Sequence, residues 1–399
     1  MIKLSERVKA LKPSATLAVD AKAKALKEQG INVINLSAGE PDFDTPEHIK
    51  EACIKALKEG FTKYTPSQGI LSLRKAICEK IKEDYGIDYT PEEVIVTTGA
   101  KQAIFNLLLA LLDEGDEVII LSPYWVSYPE MVTCAGGVPK IVPSSFERHF
   151  EPDLSSFEER ITSKTVGVII NSPSNPTGLI YSREFLSGLA SIVEKHNLWV
   201  ISDDIYDKLR FDLKKPENLL SLRPELKERV FLVNGVSKTY AMTGWRIGWA
   251  LGPKEVISAC VKIQGQSTSH ATSFAQKGAE AALKTPEEEI QKMVKTFAKR
   301  AEVLSKTLRE IPEIDFIPPQ GAFYLFAKVS AYYGKKTPDG KVIQNSVDIA
   351  EYLLDKARVA VVPGVAFGED EFIRISYATS EENLLEACRR MKEALLSLD

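Results

Sequence analysis

Residues 231–251 read FLVNGVSKTYAMTGWRIGWAL. The apolar run 231–236 has the composition of a buried strand, and a second such run, 247–251, follows it. Between them lies a loop holding one lysine, Lys238, with an arginine, Arg246, eight positions on. Gly244 and Gly248 leave the backbone there adaptable. A lysine amine at a strand end is placed to condense with an aldehyde, and an aldehyde cofactor bearing a phosphate needs a fixed cation such as a guanidinium. Taken alone, the segment fits equally well two ordinary basic residues at the mouth of a sheet.

Outward from this segment, the same strand-then-loop pattern repeats. Apolar runs end at residue 96 before a turn at Gly99, at Ser122-Pro123, at Asn171 before SPSNPTG, and at Asp203 in LWVISDDIYDKL. Helical patterns separate them, which argues an α/β fold with a mainly parallel sheet covered on both faces. Such sheets bind ligands beyond the carboxyl ends of their strands. Gly99, Ala100, Lys101, Trp125, Asn175, Asp203, Tyr206 and Lys238 all fall at or soon after such an end, and Arg246 just before a run. They are expected to converge on one crevice.

Toward the N-terminus, residues 5–29 read as two helices broken at Pro13, residues 47–59 as a helix, and KYTPSQG at 63–69 as a loop followed by a helix to about residue 84. After residue 290 come a charged helix to 310, strand-like runs at 322–327, 360–362 and 372–378, and a helix from Ser380. The expected division is a large cofactor-binding α/β domain at 46–295 and a smaller α+β domain from 1–45 and 296–399.

With 399 residues, 44% hydrophobic and 27% charged, the chain has a globular composition. A net charge of −4 with no dense basic run argues against nucleic acid. No apolar segment approaches the roughly 20 residues of a membrane span, and the first residues lack the apolar core of a secretory signal. Five dispersed cysteines without a CxxC pair read as reduced thiols of a cytoplasmic protein. The four histidines are equally scattered, so neither a metal site nor a Ser/His/Asp triad is expected. No G-x-G-x-x-G follows a strand, which disfavours a dinucleotide-binding protein. A regulatory protein built on a catalytic domain would carry an added DNA-binding module, for which this length leaves no room.

Six ordered motifs, GEPDF, KYTPSQG, NSPSNPTG, SDDIY, SKTYAMTGWRIG and FIRISYATSEEN, resemble those of class I aminotransferases of fold type I, which use pyridoxal 5'-phosphate. The resemblance runs over nearly the whole chain and is nearest to bacterial aspartate aminotransferases of subgroup Ib, some of which also act on prephenate. It implies that Lys238 holds the cofactor covalently and moves the substrate proton. Asp203 would face the ring nitrogen, while Tyr206 and Asn175 would bond the ring oxygen and Trp125 would stack on the ring. Gly99, Ala100 and Lys101, with Arg246 and Ser237, would form the phosphate cup, and Tyr64 would reach it from the partner in a homodimer with shared active sites. Arg374 would take the α-carboxylate with Asn175 and the Gly39 backbone, and Lys101 the distal carboxylate, with Lys12 and Thr16 near the entrance. The resemblance further implies a cis Asn175-Pro176 bond, whereas Asp204 reads as a turn or cap residue. Gly235 stands where the family often has serine, so a hydroxyl donor to phosphate is absent there or supplied by Ser237. Implied substrates are an amino acid and a 2-oxo acid in ping-pong exchange. A β-lyase of the same fold, or an aminotransferase acting on prephenate, is the alternative.

Overall fold

The computed structural model describes residues 2–13 and 15–399. Its strands are β1 (Ile34–Asn35), β2 (Val94–Thr97), β3 (Glu117–Leu121), β4 (Val138–Val142), β5 (Thr165–Asn171), β6 (Trp199–Asp203), β7 (Val230–Gly235) and β8 (Gly248–Leu251), then β9 (Asp315–Phe316), β10 (Tyr324–Lys328), β11 (Val359–Ala360), β12 (Val362–Pro363) and β13 (Phe372–Ser376). The helices that matter for the site are α1 (Glu6–Ala10), α2 (Ala15–Glu28), α3 (Glu47–Lys58), α4 (Leu71–Tyr85), α5 (Ala100–Leu111) and α6 (Ser127–Cys134).

Seven strands form one sheet in the order β2-β8-β7-β6-β5-β3-β4. Strands β2, β7 and β8 are buried at every position, as a sheet covered on both faces requires. From β7 to β4 the pairing is parallel, and β8 runs antiparallel to both β7 and β2. Register then fixes what shares an edge. Asn171 pairs with Asp203, and Asp203 with Val233 on β7. Because β8 is reversed, its first residue, Gly248, lies opposite both Gly235 and Thr97. The ends of β5, β6, β7 and β2 and the start of β8 therefore occupy one edge of the sheet, and every loop that leaves that edge carries a candidate residue.

A second sheet has the order β12-β13-β10-β9, all antiparallel. Strand β1 pairs in parallel with β11, tying the segment after α2 to the C-terminal part of the chain. Ser376 N also donates to Leu36 O at 2.8 Å. The apolar core is continuous from Leu36 through Val96, Leu232, Phe297 and Ile375 to Leu395, while a second cluster fills the opposite face of the large sheet beneath α5. Between α3 and α4, the loop with Tyr64 is held by two buried amides. Gln264 Nε2 donates to Ser67 O (2.7 Å) and Val96 O (2.8 Å), and Gln276 Oε1 accepts from Ile70 N (2.9 Å).

Strand β1 spans only two residues, as does its neighbour β11. The strand β4, exposed at Val138, lacks a long apolar run and gave no sequence signal. One expectation needs correction: among the described residues the cis peptide bonds are Ser122-Pro123 and Ser172-Pro173, and Asn175-Pro176 is trans. That bond lies in a tight turn where Gly178 N donates back to Ser174 O at 2.8 Å.

Candidate active site

A cleft of about 260 Å³ opens at the strand-end edge, between the two sheets. Of the candidate residues, Thr16, Gly39, Ala100, Lys101, Trp125, Asn175, Asp203, Tyr206, Ser237, Lys238, Arg246 and Arg374 line it. Gly99 sits just behind. Its φ of +79° is a conformation that side chains other than glycine's rarely adopt, and a Cβ there would lie 2.4 Å from Arg246 Nη2. Gly248 is constrained from the other side, since a Cβ would meet Ala100 N at 2.2 Å. These two glycines let Arg246 and the free N–H groups at the start of α5 crowd into one spot, an arrangement suited to an anion. Arg246 is exposed and donates to Thr243 O at 2.8 Å. Gly235 has no room for a side chain, because its Cβ would fall 2.9 Å from Ile247 O. Serine there would crowd β8, which leaves Ser237, buried and lining the cleft, as the nearby hydroxyl.

Asp203 ends β6 and is 4% exposed. Tyr128 donates its hydroxyl to Oδ2 at 2.6 Å and Ile205 N approaches Oδ1 at 3.3 Å, while Asn171 Nδ2 holds the Asp203 carbonyl at 2.8 Å. No cation pairs with the carboxylate among the described residues. Burial pushes its pKa up to about 6 against the lowering effect of these bonds. Asp204 takes the other direction. It accepts from Ser202 Oγ and Asn218 Nδ2, each at 2.7 Å, and closes a structural network away from the cleft.

Lys238 donates its amine to Gly39 O, which spans the two parts of the chain. Desolvation pulls its pKa down to about 8, with Glu40 acting in the opposite sense and Arg246 and Arg374 reinforcing the fall. Tyr206 lies 3.1 Å, oxygen to oxygen, from Tyr324. Trp125 meets Tyr128 edge-on at 5.3 Å, and Lys101 Nζ lies 4.8 Å over the Trp125 ring. Desolvation of the Lys101 head, then the Arg246 charge, lower the Lys101 pKa.

Arg374, at the centre of β13, is 1% exposed. Nη1 donates to Asn175 Oδ1 (2.9 Å) and Nη2 to Ser37 O (2.7 Å), while Nε has no partner. The Ser37 carbonyl is itself set by Asn35, whose Oδ1 accepts from Ser37 N and Oγ and whose Nδ2 reaches Asp20. No carboxylate pairs with Arg374 among the described residues. A buried guanidinium held only by neutral acceptors is a site for an incoming carboxylate.

Two candidates stand elsewhere. Lys12 lines an adjoining cavity of about 610 Å³ with Tyr124 and Glu130, and its backbone N–H donates to Glu130 Oε2 at 2.8 Å, so the turn before α2 carries its side chain past the cleft. Tyr64 is 91% exposed, edge-on to His270 at 5.6 Å, and does not line the cleft of its own chain. Sequence reasoning missed Tyr128, Tyr324, Asn171 and Ser37. Of these, Tyr128 had a signal, standing three residues after Trp125 at the start of α6. Tyr324 is brought in by pairing across the second sheet, and Ser37 follows β1, which pairs with β11.

The chain matches the family of class I and II aminotransferases over residues 31–391. It is 49% identical over 396 residues, 99% of this chain and 97% of the other, to a probable aspartate/prephenate aminotransferase of Rickettsia felis. The structure of the aspartate aminotransferase of Rhizobium meliloti superposes with a TM-score of 0.96 at 42% identity, covering all of both chains. That of Thermus thermophilus, solved with maleate, gives a TM-score of 0.91 at 45% identity over 99% of this chain and all of the other. The mainly parallel α/β architecture is the fold type I expected from the motifs, and the chain belongs to the class I and II aminotransferases.

Proposed function

We propose that this protein is a pyridoxal-phosphate-dependent aminotransferase that exchanges the amino group of L-aspartate or L-glutamate with a 2-oxo acid by a ping-pong route. The observation that carries this reading is a pair of buried charges without counter-ions, Asp203 and Arg374, sharing one cleft with Lys238. An anionic carboxylate that lacks a cation fits a protonated pyridine nitrogen. The crowded Gly99–Arg246 corner fits a phosphate, and Lys238 is the amine for an aldehyde. When bound, the cofactor supplies an electron sink that acidifies the substrate Cα–H.

The protein's own residues do the rest. Asp203, oriented by Tyr128, holds a proton on the ring nitrogen. Tyr206 and Asn175 donate to the ring oxygen, and Trp125 covers one wall. Ala100 and Lys101 N–H groups, Gly99, Ser237 and Arg246 bind the phosphate. Lys238, with its pKa drawn down to about 8, serves as the base at Cα near neutral pH. Arg374 forks onto the α-carboxylate, and Lys101 takes the distal carboxylate, with Thr16 beside it. Tyr64, exposed on its own chain, serves the partner's phosphate in a homodimer, and Lys12 flanks the entrance. The reading divides the chain into a cofactor domain at 46–295 and a smaller domain from 1–45 and 296–399. The large sheet lying wholly within residues 94–251 supports it, as does the pairing of β1 with β11. Free cysteines throughout support a cytoplasmic location.

The test is the visible spectrum of the purified protein, followed on addition of L-aspartate alone and then 2-oxoglutarate. Loss of the visible band with aspartate, its return with the oxo acid and its absence in Lys238→Ala are expected. A protein that gains no visible band with added pyridoxal phosphate would remove the reading. Prephenate as amino acceptor is a second reading, favoured by the name of the Rickettsia relative, and substituting prephenate for 2-oxoglutarate tests it directly.

A further inference from the structure

Behind the Lys238 loop, on the side away from the cleft, lies a cavity of about 20 Å³ walled by Asp84, Asp207, Asn234, Gly235 and Tyr240. Its chemistry plays no part in the reaction as described above. Asp207 directly follows Tyr206 and is 5% exposed. Its Oδ2 accepts from Tyr85 Oη at 2.7 Å and from Asn234 Nδ2 at 2.9 Å, and its Oδ1 from Lys208 N at 2.7 Å. Asn234, 8% exposed on β7, then turns its Oδ1 to Gly235 N at 2.7 Å. One carboxylate thus joins the backbone that carries Tyr206 to the strand end that carries Lys238.

We infer that Asp207, acting through Asn234, is a positioning residue that fixes the Lys238 amine relative to the Tyr206 hydroxyl. Both segments need such a brace. Parallel pairing of β6 with β7 ends at Asp203 and Val233, and the bond from Asp204 N to Val233 O at 2.8 Å is the last backbone link between these two strand ends. The Asn234 side chain is the first cross-link after the ladder stops. A carboxylate suits the role because it accepts from Tyr85, Asn234 and its own neighbour's N–H together, whereas an amide brings a competing donor. Facing Asp207 are Asp84 and Tyr85 on α4, Lys208 beside it, and Lys80 and Tyr240 across the cavity. Glu287 reaches Lys208 at 3.5 Å from the start of the next long helix. The Asp84–Lys208 pair at 2.6 Å supplies a built-in control, since it is buried in the same cluster but the Asp84 carboxylate bonds neither Asn234 nor Asp207, and Lys208 reaches Asp207 only through its backbone N–H.

The inference uses the roles given above to Lys238 and Tyr206, and the experiment separates the two. Wild type, Asp207→Asn, Asn234→Ala and Asp84→Asn are loaded with pyridoxal phosphate, and the visible band is titrated with pH beside a thermal melt of each holoenzyme. Asp207→Asn and Asn234→Ala are expected to move the midpoint of the band by at least about half a unit, a threefold change in the proton equilibrium. Asp84→Asn is expected to lower the melting temperature with the midpoint unmoved. Should Asp207→Asn not fold, Asn234→Ala carries the test alone. Midpoints that superimpose on wild type while the melts fall would make the network merely structural and overturn the inference. A wild type without a visible band would instead overturn the cofactor reading.

Discussion

Replacing Arg374 by lysine keeps the charge and removes the fork, so it isolates what the guanidinium does. In the ligand-free protein, Nη1 and Nη2 already satisfy Asn175 Oδ1 and Ser37 O, and the unpaired Nε remains to be used. A lysine reaches a carboxylate with one bond in place of two parallel ones, losing about 1.5–3 kcal/mol for a charge-assisted bond. It also leaves one buried acceptor, Asn175 Oδ1 or Ser37 O, without a donor, at about 1–3 kcal/mol. The lost bond corresponds to roughly ten- to a hundred-and-fiftyfold in kcat/KM, while the orphaned acceptor is a loss of stability already present in the free protein. Two assays read it. One is the single-turnover loss of the visible band with L-aspartate. The other is the rise in melting temperature caused by maleate, which at a hundredfold excess over Kd is worth about 2.7 kcal/mol in wild type and nearly vanishes when binding is a hundredfold weaker. An Arg374→Lys variant within about threefold of wild type in the first assay, with the maleate shift intact, would refute the carboxylate role.

Lys101→Ala is expected to raise KM for aspartate by roughly ten- to a hundredfold, the loss of one charge-assisted bond, while sparing an amino acid without a side-chain carboxylate; equal losses for both would place Lys101 elsewhere. For Asp203 the folded pKa, about 6, lies above the unfolded value of 3.8. The cofactor-free folded form therefore binds more protons between these values, and its stability is lost as pH rises through 6. Across that window the unfolding free energy of wild type, relative to Asp203→Asn, should fall by about 2.4 kcal/mol as pH rises from 4 to 7, measured by urea unfolding of the cofactor-free proteins; a flat difference would show that the carboxylate is already paired. Mixing inactive Lys238→Ala with a Tyr64→Ala variant of weakened cofactor binding should restore activity as subunits exchange, since the first supplies an intact Tyr64 to the second's Lys238. No recovery after exchange would confine each site to one chain.

How far the sequence spoke depended on whether a residue's place is set locally. Strand ends were legible because a doubly covered strand is a bare apolar run, and the polar residues at or just past its end, Asp203 on β6 and Ser237 and Lys238 after β7, mark the edge where ligands bind. The Gly99–Arg246 corner was legible as residue types, although the need for glycine there came from an approach of 2.4 Å between segments far apart in sequence. Arg374 stood out as a charge amid apolar neighbours. Its setting did not, because Ser37 enters through the turn braced by Asn35 and Asp20, and Tyr324 through antiparallel pairing of β10 with β13, where it faces Ser376. Lys12 shows the converse limit. Near the N-terminus only a few bonds direct the chain, and the 2.8 Å link from its backbone to Glu130 is enough to send the side chain into the neighbouring cavity.

The same distinction separates what this fold needs from what its site needs. Outside the cleft, the buried side chains of Gln264 and Asp204 are satisfied: Gln264 spends its amide on Ser67, Val96 and Asn106, and Asp204 is closed by Ser202 and Asn218. In the cleft the rule lapses at Asp203, Lys238 and Arg374, each desolvated and none paired with an opposite charge. Desolvation shifts all three toward their neutral forms, a cost that a structural network would have removed by pairing them with one another. Keeping them apart requires neutral braces instead, and these are in place: Tyr128 on Asp203, the Gly39 carbonyl on Lys238, Asn175 and the Ser37 carbonyl on Arg374. Each brace is a neutral dipole that orients a charge without cancelling it. The electrostatic attraction is thereby left for a ring nitrogen, an aldehyde and a carboxylate brought from outside.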